Sequence, residues 1–213
     1  MISTPQIAEW VNAFGREYTD RNVLSTVELD ALYETNYGIT RRKLNEPFLT
    51  GIPADARILE VGCNVGNQLT VLREMGYRRL YGIEIQPYAL EQARSKLPDV
   101  HFAEASAFEI PYPDNYFDVV FTSGVLIHIA PSDLPGAVDE IHRCAGRHIW
   151  GFEYYSPQTV EVKYRGNQGL LWKMDYAKFY LERFADLNLE RREELPYLEN
   201  SNVDSMFLLR KAI

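Results

Sequence analysis

Two carboxylates and two glycines carry the first chemical signal in this chain. Glu60, Gly62, Asn64 and Gly66 lie in the run R-I-L-E-V-G-C-N-V-G-N, residues 57 to 67, and Glu84 follows roughly 20 residues after the glycine turn. Glycines at 62 and 66 allow positive φ and let a ligand approach the backbone with no Cβ in the way. A carboxylate at the position of Glu84 can accept from both hydroxyls of a ribose. A dinucleotide site would read G-x-G-x-x-G, its second glycine making room for pyrophosphate. The spacing here is E-x-G-x-x-x-G with Asn at 64, which provides no dedicated phosphate cradle. Glu60 repels an anion and suits an ammonium group, directly or through water. The pattern points to a nucleoside-type ligand with an uncharged or zwitterionic remainder. The plainer alternatives are an ordinary strand–helix corner and, for Glu84, a solvated carboxylate.

For these residues to converge, a buried strand at Arg57 to Val61 must break at Gly62 and pass into a helix near Asn67. That helix would point its unpaired N–H groups at the turn. Upstream, Thr4-Pro5 caps a helix expected from Gln6 to Phe14 and stopped by Gly15. The next segment, F-G-R-E-Y-T-D-R-N, shows no clean period. It reads either as a capped turn or as a lid whose Tyr18 and Arg21 close over a ligand. Helices over about Val27 to Asn36 and Thr40 to Leu49 complete a helical N-terminal cap, residues 1 to 50.

From residue 51 to 213 the chain alternates strand and helix. Strands are expected at Arg79 to Ile85, Val100 to Ala103, Phe117 to Ser123 and His148 to Phe152, with helices at Gln68 to Met75, Pro87 to Lys96 and up to Cys144 between them. Such alternation predicts a parallel sheet covered by helices on both faces. Residues 154–175 read as an insertion. A helix over Tyr176 to Phe184 and two strands, Leu187 to Leu195 and Ser205 to Lys211, end the chain as a hairpin. The expected class is α/β, a doubly wound, mainly parallel sheet of about seven strands ending in an antiparallel hairpin. In an open parallel sheet the ligand lies beyond the carboxyl ends of the strands. Those ends carry Glu60-Val61-Gly62, Glu84, Glu104-Ala105-Ser106-Ala107, Thr122-Ser123-Gly124 leading to His128, and Glu153-Tyr154-Tyr155.

Composition narrows the field further. With 213 residues, 46% hydrophobic and 24% charged, the chain can bury a sizeable core unaided. A formal net charge of -8 argues against a nucleic-acid partner. The one basic cluster, Arg41, Arg42 and Lys43, reads as a solvated helix face. Cys63 and Cys144 read as reduced core residues, and the four histidines show no metal spacing, so no metal is expected. No signal peptide or membrane span is evident, and a cytoplasmic protein, monomeric or a small homo-oligomer, is expected.

The strings I-L-E-V-G-C-N-V-G, Y-G-I-E-I and I-P-Y-P-D-N-Y-F-D-V-V-F-T-S-G-V-L-I-H-I resemble the successive motifs of class I S-adenosylmethionine-dependent methyltransferases. F-G-R-E-Y-T-D-R-N, G-V-L-I-H-I and E-Y-Y-S-P-Q-T-V-E-V-K-Y-R-G are similar to the methylases associated with pseudaminic acid biosynthesis. The resemblance implies a Rossmann-like fold and S-adenosyl-L-methionine as cofactor, leaving as S-adenosyl-L-homocysteine. Glu60, Gly62, Asn64 and Gly66 would surround its methionine part, Glu84 its ribose, Ser106 and Ala107 its adenine, and Ser123 and Gly124 its methyl end. Ser106 departs from the acidic residue common there and bonds adenine more weakly than a carboxylate. Tyr18 and Arg21 would form the lid.

The implied reaction is in-line displacement at the sulfonium methyl by a small-molecule acceptor, a sugar or sugar-nucleotide in the family's context. His128 is the candidate base, its alternative being a residue that caps or packs beside the next helix. Glu153, Tyr154, Tyr155, Tyr164 and Arg165 are candidate substrate contacts, and Tyr164 and Arg165 equally suit tying the insertion to the core. His142 and His148 are read as structural. Rival readings are a carboxylate or natural-product acceptor received by Arg21 or Arg165, and a non-catalytic protein that binds the same cofactor. A nicotinamide oxidoreductase is disfavoured by the glycine spacing and the terminal hairpin.

Overall fold

The computed structural model describes residues 4–212. Four helices come first, α1 (Pro5–Val11), α2 (Ala13–Arg21), α3 (Thr26–Tyr37) and α4 (Arg41–Leu49). Side-chain caps start three of them: the Thr4 hydroxyl accepts from Ile7 N–H, Ser25 and Glu28 form a reciprocal capping box, and the Thr40 hydroxyl accepts from Lys43 N–H. The first break does not fall at Gly15. The chain turns at Asn12 (φ -95, ψ -160), and most of the segment without a clean period forms α2. Gly15 lies inside that helix, where a Cβ would sit 1.7 Å from the Trp10 carbonyl oxygen. Glycine there is what lets α1 fold back on α2.

The alternating region follows as β1 (Arg57–Val61), α5 (Asn67–Glu74), β2 (Arg79–Glu84), α6 (Pro87–Lys96), β3 (His101–Glu104), β4 (Phe117–Ser123), a 3-10 turn over Leu126–His128, α7 (Leu134–Cys144) and β5 (Ala145–Tyr154). β5 starts three residues earlier than expected because α7 hands over to it directly at Ala145. The 154–175 segment contains a two-stranded piece, β6 (Val160–Glu161) with β7 (Trp172–Lys173), before α8 (Tyr176–Arg183), β8 (Leu187–Pro196) and β9 (Val203–Lys211). The main sheet has seven strands in the order β3-β2-β1-β4-β5-β9-β8. Neighbours from β3 to β5 are parallel, and β9 inserts antiparallel between β5 and β8. The order reverses between β1 and β4, which opens a crevice over their carboxyl ends.

Both faces of the sheet are covered. Leu59 and Val61 of β1, with Phe207 and Leu209 of β9, pack against α7 and α8, while Ile58, Met206 and Leu208 pack with α3, α4 and α5. Along β4 the alternation slips, Phe117 and Val120 facing one side and Val119 and Phe121 the other. A register shift between Phe117 and Val119 accounts for it. Arg41 corrects the reading of its cluster. Arg42 and Lys43 are exposed, but Arg41 is 0% exposed, its Nε donating to Asn45 Oδ1 (2.8 Å) and one terminal nitrogen to the Tyr33 hydroxyl (2.8 Å). Its guanidinium carbon lies 4.4 Å from the Phe152 ring centroid. Among the described residues, no helix is long and apolar enough to cross a membrane.

Candidate active site

A cavity of about 400 Å³ opens above the crevice, within the range typical of small-molecule sites. The glycine turn forms its floor. Gly62 adopts φ 71, and a Cβ there would lie 2.7 Å from a Val125 methyl. Asn64 is itself left-handed at φ 45, a conformation that asparagine tolerates better than most residues. Gly66, also left-handed, does not line the cavity: its missing Cβ would meet Leu97 and Phe102, so it serves packing of α5 on the sheet.

Glu84 organises the rim of the turn. One of its oxygens accepts from Asn64 N–H (2.8 Å) and the other from Ile85 and Gln86 N–H (2.8 and 2.9 Å). Burial raises its pKa and these three N–H donors lower it. Glu60 is 3% exposed, and its Oε2 has no hydrogen-bond partner. Burial pushes it well above the usual carboxylate range, and the Arg41 guanidinium pulls it back. A buried carboxylate oxygen without a donor is costly unless a ligand supplies one.

The cap closes the cavity from above. Trp10, Gly15 and Tyr18 line it, the Tyr18 ring set edge-on to Trp10 at 5.2 Å. Long-range hydrogen bonds help hold the cap in place. Thr19 accepts from the Asn64 side-chain amide (3.0 Å), Asn67 donates to Asn22 O (2.8 Å), and Gln86 Nε2 donates to Trp10 O and Asn12 O (3.1 and 3.3 Å). Arg21 is not brought to the site: it is exposed, 3.9 Å from Glu17 on the same helix. Ser106, Ala107, Ser123 and Gly124 line the cavity, with Ser106 Oγ accepting from Phe108 N–H (3.2 Å).

His128 lines the cavity between the Trp10 and Tyr164 rings, at centroid distances of 4.6 and 5.1 Å. Its Nδ1 lies 2.6 Å from the Leu170 carbonyl oxygen, so Nδ1 carries the hydrogen and donates. Burial lowers its pKa to about 4 rather than leaving it near neutrality, so His128 is uncharged at pH 7.

The substrate candidates divide. Tyr154 and Tyr164 line the cavity, whereas Glu153, Tyr155 and Arg165 do not. Arg192 packs over the Tyr155 ring at 4.9 Å, and Arg165 is exposed beside Tyr164. Glu153, 1% exposed, instead ties the end of β5 to the turn after β4 by accepting from Val125 and Ile127 N–H (3.2 and 3.4 Å). Burial pushes its pKa up to about 7. A raised carboxylate pKa means the native state holds the proton that the unfolded chain has lost, so stability falls as pH rises from about 4.5 to about 7. Glu153→Gln should flatten that slope, worth roughly 3 kcal/mol at most, and urea titrations of both proteins at pH 5 and pH 8 measure it. Equal slopes would show that Glu153 does not carry it. His142 pairs with Asp186 (3.0 Å) and His148 with Glu190 (3.3 Å), both away from the cavity.

Sequence reasoning missed Trp10, Gln68, Gln86, Tyr33, Tyr37, Tyr197 and Asp204, all of which line the cavity. Only Gln86 had a local signal, as the residue before Pro87 at a helix start.

A five-strand parallel core closed by an antiparallel hairpin, with its cavity over the first glycine turn, is the Rossmann-like fold of class I methyltransferases. Residues 59–147 match the family described as "Methyltransferase domain". An uncharacterised methyltransferase of Synechocystis is 28% identical over 87 residues, 41% of each chain. The tRNA U34 carboxymethyltransferase of Syntrophotalea carbinolica is 39% identical over 77 residues, 34% of this chain and 24% of that protein. The chain thus matches less than half the length of these curated relatives. Among solved structures, the 1,6-didemethyltoxoflavin-N1-methyltransferase of Burkholderia thailandensis with bound S-adenosylhomocysteine superposes with a TM-score of 0.74 at 17% identity, over 100% of this chain and 92% of that one. The [4+2]-cyclase SpnF shares the fold too, at a TM-score of 0.65 and 17% identity, covering 81% of each chain. Fold alone therefore names no reaction.

Proposed function

We propose that this chain is an S-adenosylmethionine-dependent methyltransferase acting on a small-molecule acceptor. The observation that supports it most is the Glu60–Glu84 pair across a left-handed glycine turn, with an unpartnered Glu60 oxygen in a buried cavity. The donor set fits the cofactor: Glu60 suits its ammonium, Glu84 its ribose diol, the Ser106-Ala107 corner its adenine, and Ser123 and Gly124 the methyl end. When bound, that group supplies an electrophilic methyl on a sulfonium sulfur. The chain's own part is to orient the acceptor in line with that methyl and to exclude water, which Trp10, Tyr18 and Tyr164 are placed to do. A neutral His128 with its Nδ1 hydrogen committed to Leu170 keeps Nε2 free of a proton, available as a weak base.

For the acceptor, the resemblance of the N-terminal and Y-R-G segments favours a sugar or sugar-nucleotide of the pseudaminic acid type of surface-glycan biosynthesis. A carboxylate acceptor is less favoured, because Arg21 and Arg165, which would receive it, stand outside the cavity. Calorimetric titration with S-adenosylmethionine, S-adenosylhomocysteine and NAD tests the reading. Binding of the first two with Kd at or below about the micromolar-to-millimolar range of enzyme substrates is expected, and none for NAD. Failure of both adenosyl ligands to bind would overturn it.

A further inference from the structure

One part of the cavity has no role in the cofactor reading above. Tyr33, Tyr37, Phe152, Tyr154 and Tyr197 wall it, and Asp204, 3% exposed, stands beside Tyr154 where β9 pairs with β5. The rings brace one another: Tyr37 meets Tyr197 edge-on at 4.9 Å and Phe152 at 6.0 Å. The Tyr37 hydroxyl donates to Asp204. An ionised carboxylate has about four lone-pair sites, so others remain for a guest. On the same cavity wall Gln68 is 8% exposed, and its Oε1 has no partner although its Nε2 reaches the Tyr33 hydroxyl (3.3 Å). The arm therefore offers a guest acceptors at Asp204 and at the Gln68 amide oxygen.

Charge narrows the guest further. Arg41 and Lys173 are the cations whose fields reach Asp204, and neither lines the cavity. An anionic guest would meet the Asp204 carboxylate with no Lys or Arg among the described lining residues to pair it, and a cationic one would enter a field already compensated by Arg41 and Lys173. Flat aromatic walls suit the face of a ring.

We propose that this arm is the acceptor subsite, and that it selects a neutral ring bearing hydroxyl or amine hydrogens, which donate to Asp204 and to the Gln68 amide oxygen. The assignment rests on the methyltransferase reading above. It is tested on protein saturated with S-adenosylhomocysteine, titrated with catechol and methyl β-D-glucopyranoside as neutral probes and benzoate as the anionic one. At least one neutral probe should bind, and benzoate should not. Asp204→Asn should weaken that probe by at least about tenfold, the effect of a hydrogen bond to a charged group, and leave S-adenosylhomocysteine affinity within about twofold. Gln68→Met, a second variant should the first not fold, should weaken it about threefold. Binding of neither neutral probe, unchanged affinity in the folded variants, or tighter binding of benzoate would overturn the proposal. Loss of S-adenosylhomocysteine binding by the wild-type protein would instead fail the reading on which it rests.

Discussion

Replacing Glu84 by Ala should weaken S-adenosylhomocysteine binding by at least about 100-fold, with calorimetry as the measurement. Two losses add up. The carboxylate gathers three backbone N–H groups, those of Asn64, Ile85 and Gln86, each within 2.9 Å. Without it they are left to water in a site where Glu84 was only 8% exposed. The turn at Asn64 then loses the contact that holds it against the end of β2. The ligand also loses the carboxylate that would accept from its ribose. A hydrogen bond to a charged group is worth about 1.5–3 kcal/mol, so one lost ribose contact together with the loosened turn reaches the stated factor. Glu84→Gln separates the two losses, because its amide keeps one oxygen for the backbone while weakening acceptance from a diol. An affinity within threefold of wild type for Glu84→Ala would remove Glu84 from the cofactor site.

The second large effect is on stability. Arg41→Ala should cost about 3–5 kcal/mol, read from the urea midpoint, whereas Arg42→Ala next to it should stay within about 0.5 kcal/mol. Arg41 is among the largest fully buried side chains, and its removal strands the Asn45 side-chain oxygen, takes one of two donors from the Tyr33 hydroxyl and empties the space beside Phe152 and Trp150. It also removes a cation that favours the ionised forms of the buried Glu60 and Asp204 carboxyls. Arg42 donates to the Glu74 carbonyl from an exposed position. Similar midpoints for the two variants would show that the buried guanidinium contributes nothing net.

Nothing in one-letter code separates Arg41 from Arg42. Both sit in the first turn of α4, and the difference arises because α4 presents one of them to α3 and to β5, the second of which is distant in sequence. The glycine pair teaches the same lesson at closer range. Gly62 and Gly66 have equivalent left-handed φ values, and their spacing made them look like partners in one ligand turn. Only the packed helix and sheet decide that Gly62 borders the cavity while the face of Gly66 is filled by Leu97 and Phe102. Asp204 carried no signal because its meaning depends on Tyr37, 167 residues away.

What the amino-acid sequence determined by itself was therefore local. The strand–turn–helix around Glu60, the acidic end of β2, the alternation that makes a parallel sheet and the final hairpin all follow from hydrophobic period, glycine and proline placement and caps, which act over a few residues. The tertiary structure alone decided which side chains at those strand ends face the cavity. Glu153 sits at a strand end as expected, yet turns inward to serve the backbone of the β4–α7 connection, while Tyr154 beside it faces the cavity. Successive residues of a strand point to opposite faces, so a one-residue difference in register assigns one to architecture and the next to the ligand.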